Sequence, residues 1–147
     1  MKSIRQERAR KLIKLGLICE ITGVIELGQE IVLGHLIEFE KKFNPLMKEK
    51  GNLLIERLQS YDQKKVDQID FVDRKKRNHD LIIFGSLFEI TALDNKRLSV
   101  LIGYLESLKE QSNIYINDCR LIGKTYFLQT KQQKKKLLYY TRSADES

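Results

Sequence analysis

The chain has no stretch of eighteen or more apolar residues, so a membrane-spanning helix is not expected. Its opening residues stay charged through Lys14 and no cleavable apolar region follows, which speaks against a signal peptide. Cysteine is scarce. Cys19 and Cys119 are far apart with Leu and Ile close by, and they read as buried, reduced thiols in a cytoplasmic chain. The two histidines, His35 and His79, have no partners at metal-ligand spacing, so neither a metal nor another cofactor is expected. None of the helical glycines sits in a strand-to-helix turn of the kind that cradles phosphate. The one proline, Pro45, follows Asn44 and marks the end of a helix. Glu20 and Glu89 are the only carboxylates whose placement invites a catalytic reading. No histidine or further acid supports it, and a salt bridge to a nearby Lys or Arg explains them more simply. No catalytic residue is assigned, and the chain reads as a non-enzyme.

What the chain does have is positive charge. Net charge is +7, and hydrophobic residues at 41% against charged residues at 32% describe a foldable chain rather than a disordered one. The cations cluster. Arg5, Arg8 and Lys11 lie on the first helix, Arg74 and Arg77 at the start of a later one, and Lys124, Lys131, Lys134 and Lys135 towards the C-terminus. Separated basic clusters of this kind suit a polyanion, and these nine residues are the candidate nucleic-acid contacts. Phosphate contacts position a protein without naming bases, so no DNA sequence can be read from them.

The chain also repeats itself. Residues 5–39 align with residues 74–108 at a constant offset of 69 without a gap, with 10 of 35 pairs identical. Among the identities are Arg8/Arg77, Leu12/Leu81, Gly16/Gly85, Glu20/Glu89 and Gly34/Gly103. The spacing predicts a basic-then-apolar helix over 3–22, a C-cap at Gly23, and a second helix over about 29–43. The same plan recurs over 73–92 and up to about 111, with Asp94 or Asn95 capping the latter helix. A third helix is expected over roughly 52–69, helix is favoured over strand for 114–133, and the polar residues 134–147 are expected to fray. The domain reading is a first helical hairpin at 1–45, a charged connector at 46–72, a second hairpin at 73–112 and a basic extension at 113–147. One hairpin buries little alone. The expected fold is therefore all-α, with two tandem helical hairpins packed into one four-to-six-helix body that resembles a fused dimer and could still self-associate.

Gly16, Gly34, Gly85 and Gly103 each fall inside an expected helix, where glycine costs about 1 kcal/mol relative to alanine. Repetition of that cost points to close helix–helix approach, with Gly16 facing Gly34 and Gly85 facing Gly103, or with one copy packed on the other; a helix kink is the alternative.

The basic helix carrying Leu-Ile-x-Leu-Gly, followed by Leu-Gly-x-Leu-x-Glu, resembles the small conjugal-transfer proteins of the TraD type found on Ti-like plasmids. These are distinct from the large ATP-driven coupling protein. The residues concerned are Arg8–Leu17 with Val32–Glu38 and, more loosely, Arg77–Leu87 with Leu101–Glu106. Cys119–Phe127, with Gly123, Lys124 and Phe127, resembles the ending of the same family. The chain is about twice the family length, and the usual paired glycines become Gly16-Leu17 and Gly85-Ser86. The resemblance implies an accessory role in bacterial conjugal transfer. Charge adds DNA as the expected partner, with a helical adaptor that binds a relaxase or other transfer protein without touching DNA as the alternative.

Overall fold

The computed structural model describes the backbone of residues 3–146 and the side chains of residues 3–132, and among these the fold is all-helical. Helix α1 spans Ile4–Ile21 and a 3-10 turn follows at Val24–Leu27. Next come α2 (Gln29–Ile37), α3 (Phe39–Lys42), α4 (Leu46–Ile55) and α5 (Leu58–Gln68). Helices α6 (Phe71–Ile90), α7 (Leu98–Leu108) and α8 (Asn113–Glu146) complete the order.

Local chemistry sets the helix ends. Ser3 and Gln6 form a reciprocal capping box at the start of α1, and the Asp70 carboxylate accepts from the Asp73 amide at the start of α6. After α1 the chain reverses at Gly23, whose φ of 80° is the left-handed value that a side chain disfavours. The equivalent residue after α6 is Ala92, which adopts φ 59° despite its methyl group.

Several expected boundaries move. The second helix ends at Ile37 and restarts as α3, and the single helix expected over 52–69 is two helices meeting at Glu56 and Arg57. Neither Asp94 nor Asn95 caps α7, whose N-cap is Arg97 without a side-chain bond; both hydrogen-bond to Lys11 instead. Residues 113–133 are helical, and the α8 backbone continues to Glu146 through the stretch expected to fray.

The helices pair in a way that periodicity alone does not show. α1 packs chiefly on α6, α2 on α8, and α7 on α4. A Cβ added at Gly16 would overlap the carbonyl of Leu81, and one added at Gly85 would overlap the carbonyl of Leu12. Gly34 meets Cys119 while Gly123 meets Glu30, and Gly103 meets Met47 while Gly51 meets Ser99. In every pair each glycine lies over the residue four before its partner glycine, so each pair is antiparallel and backbones touch where side chains would block them.

These contacts are reciprocal under the offset of 69 residues for the first two helices of each unit and 72 for the third, where Met47 matches Cys119 and Gly51 matches Gly123. Of the two expected glycine contacts, the structure shows one copy packed on the other: Gly16 faces Leu81 and not Gly34, and the second helix of each copy lies on the third helix of the other, which corrects the self-contained hairpins. Lone hairpins would leave those stripes wet. The exchange buries Leu12, Leu15, Ile18, Val32, Leu36, Phe84, Phe88, Leu101, Ile102 and Leu105 in a common core.

Candidate nucleic-acid interface

The antiparallel α1·α6 pair carries most of the candidate cations, and its geometry separates them. Arg5, Arg8 and Lys11 lie at one end, while Arg74 and Arg77 lie at the other because α6 runs back along α1. Arg5 and Arg74 stand about eighteen helical positions apart, or roughly 27 Å along the pair at about 1.5 Å per residue.

Much of this charge is already matched inside the protein. Arg77 bonds Glu20 at 2.7 Å and Asp62 at 2.9 Å, and its side chain is only 11% exposed. Burial works against the Arg77 cation, and the bonds to Glu20 and Asp62 outweigh it, so its pKa is raised. Neighbouring Tyr61 is pushed up to about 12, first by burial and then by the Glu20 charge. Arg8 makes the mirror-image pair with Glu89 at 2.8 Å, yet its side chain is 62% exposed. The difference comes from α5, which supplies Asp62 over Arg77. Glu20 and Glu89 thus act as cross-copy anchors for arginine, as the salt-bridge reading expected, and do not form a joint carboxylate site.

Lys11 is held by Asp94 at 2.9 Å and by the Asn95 side chain at 2.8 Å. The Arg74 Nε donates to the carbonyls of Val66 and Ile69, tying α6 to the end of α5. Arg5, Lys124 and Lys131 are exposed, and among the described side chains no ion pair engages them. The same holds for Arg10 and Lys14 on α1, which were not singled out as contacts although they lie in the same basic run. The side chains of Lys134 and Lys135 lie outside the described residues.

A groove of about 700 Å³ lies beside Arg77, between α5, α6 and the 3-10 turn that follows α1. Its walls mix Lys65 and Lys76 with Glu20, Glu26, Asp73 and Asp80, a balance unsuited to a polyanion. Among the described residues no three His, Cys, Asp or Glu side chains gather where they could hold a metal ion.

A second polar cluster lies in the core. His35 and Tyr104 occupy equivalent places in the two copies and stack directly, with ring centroids 3.9 Å apart. Each donates to the other's backbone: His35 Nε2 to the Tyr104 carbonyl at 2.9 Å, and the Tyr104 hydroxyl to the His35 carbonyl. Because Nε2 must carry the proton, Nδ1 accepts from the Tyr115 hydroxyl at 2.6 Å. Burial lowers the His35 pKa to about 4, so the ring is neutral near pH 7. The His35 ring is fully buried and sits against its own counterpart in the other copy. Gly51 and Gly123 were missed as packing residues. The signal was present: Met47-x3-Gly51 and Cys119-x3-Gly123 share the spacing of Leu12-x3-Gly16.

Among the described residues, these features define an all-helical protein with an internally repeated, cross-packed arrangement of helices. A family model described as "Conjugal transfer protein TraD" matches residues 2–52, about the extent of the first unit from α1 into α4. No curated protein and no solved structure matches the chain.

Proposed function

We propose that this chain is a non-enzymatic accessory protein of bacterial conjugal DNA transfer, built as a fused pair of TraD-like units that meets DNA phosphates through the two basic ends of the α1·α6 pair. The observation that carries this reading is the match of residues 2–52 to the conjugal-transfer family, because the matched stretch coincides with one of the two cross-packed units. The placement of charge supports the DNA contact. Arg5 and Arg10 are exposed towards one end and Arg74, Lys75 and Lys76 at the other, with exposed Lys14 midway between them. Two like-charged patches related by an approximate twofold suit a duplex, whose backbone carries the same kind of symmetry. Arg77 is left out of the contact set because Glu20 and Asp62 already occupy its guanidinium.

The test is duplex binding as a function of salt. Affinity is expected to fall steeply between 50 and 200 mM salt, and each phosphate contact removed lowers the slope of log K against log salt by about 0.9. Substituting Arg5 and Arg10 together by Ala weakens binding to all duplex sequences alike. If that variant binds DNA as the parent does, the phosphate reading fails. A chain that shows no DNA affinity but captures purified relaxase is the adaptor instead.

A further inference from the structure

Helix α8 is apolar on two opposite faces. Cys119 and Gly123 face α2 and are buried there. On the far side, Ile114, Leu121 and Leu128 recur every seventh residue and are 76%, 62% and 52% exposed. A seven-residue spacing keeps these side chains in one line along two-turn steps, which is the seam a partner helix packs against. The two sides of the seam differ. Lys124 and Lys131, with Arg120 beside them, form one flank, and among the described residues no carboxylate pairs with them. The other flank opens into a groove of about 370 Å³ lined by Ile37, Leu121, Ile122, Thr125, Tyr126 and Gln129.

We propose that the outer face of α8 is a docking site for an amphipathic helix with an acidic flank, supplied by another protein. The occupant's apolar side chains lie along Ile114, Leu121 and Leu128 and drop into the groove beside Tyr126, and its carboxylates meet Lys124 and Lys131. Charge rules against a second copy of this chain. Antiparallel α8 helices would set the lysine flanks against each other, and parallel ones would offer only Asp118 on the opposite flank to answer them. Helix α4 also turns Leu46 and Leu53 outward, but its flanking Lys48, Glu49, Lys50 and Glu56 are of balanced sign and select no partner. The assignment takes Lys124 and Lys131 out of the DNA set and stands whether or not the α1·α6 ends touch DNA.

The probe is a pair of synthetic heptad peptides with identical leucine seams, one with Glu and the other with Lys at the flanking positions. Their binding to the full chain is read by fluorescence anisotropy. The acidic peptide is expected to bind at least tenfold tighter than the basic one. Leu121→Ser with Leu128→Ser is expected to weaken the acidic peptide at least tenfold while leaving DNA affinity and helix content unchanged. Lys124→Glu with Lys131→Glu reverses the preference, and Leu53→Ser on α4 changes nothing. The proposal is overturned if the two peptides bind alike, if neither binds, or if the serine variant binds as the parent does. Self-association of the chain that the serine variant abolishes would overturn it in favour of a second copy. Leu121-dependent sedimentation with phosphatidylserine vesicles, without peptide discrimination, would overturn it in favour of a membrane surface.

Discussion

Replacing Gly16 by alanine sets two physical effects against each other. Intrinsic helix propensity favours the change by about 1 kcal/mol in a helix interior. The structure opposes it, because the new methyl group would overlap the Leu81 carbonyl, a backbone atom that no rotamer change can move. Helices α1 and α6 must separate instead. A buried leucine makes on the order of 50 contacts of ~0.15 kcal/mol, and a gap of 0.5–1 Å forfeits a quarter to a half of each. With roughly a quarter of those contacts facing the partner helix, each side chain loses about 0.5–1 kcal/mol. Leu12, Leu15, Leu81 and Phe84 flank the two glycines and are buried. Together they lose about 2–4 kcal/mol, so the net effect is destabilisation by about 1–3 kcal/mol, in the range of overpacked cores. Urea unfolding followed by circular dichroism reads this directly. Gly85→Ala is expected to match Gly16→Ala because the two contacts are reciprocal. The double variant is expected to cost about 2–4 kcal/mol less than the sum, since the gap opened for one methyl group accommodates the other and its cost is met once. A Gly16→Ala protein more stable than the parent, or full additivity in the double variant, would refute the close-approach account.

Ala92→Gly is expected to stabilise the chain by about 0.5–1 kcal/mol, because it removes the methyl group from a left-handed turn that its counterpart Gly23 makes without strain; a raised urea midpoint checks it. Arg77→Ala is expected to cost about 2–3 kcal/mol by leaving Glu20 half-buried and unpaired, whereas exposed Arg8→Ala costs little; parallel unfolding curves distinguish them. The lowered His35 pKa means that the unfolded chain binds a proton the folded chain refuses. The His35 contribution to stability is therefore present above pH 6.5 and is lost as pH falls towards about 4, a change on the order of 3 kcal/mol. His35→Gln should flatten the slope of stability against pH in that window, and an unchanged slope would contradict the assignment.

The repeat, the all-helical class and the left-handed turn at Gly23 were legible in the sequence because each depends on local spacing or on one residue's backbone preference. Which apolar stripe covers which was not. The helical spacing of Val32 and Leu36 on α2 tells that a face is buried, yet α8 and α6 offer it chemically similar surfaces, and only the backbone contacts of Gly34 with Cys119 fix the choice. The cations were legible as clusters, but their states were not. Glu20 and Asp62 reach Arg77 from elements 57 and 15 residues away, a pairing set by the exchange of helices between copies.

The exchange of helices has a consequence for synthesis. When the first unit has left the ribosome, Leu12 and Gly16 have no Leu81 or Gly85 to meet, and Gly34 waits for a residue 85 positions further on. Every strong helix pair joins distant parts of the chain, so folding is expected to start late and proceed slowly for an all-helical protein of this length. Until then the nascent first half displays oily surface that a chaperone, or another nascent copy, is free to cover.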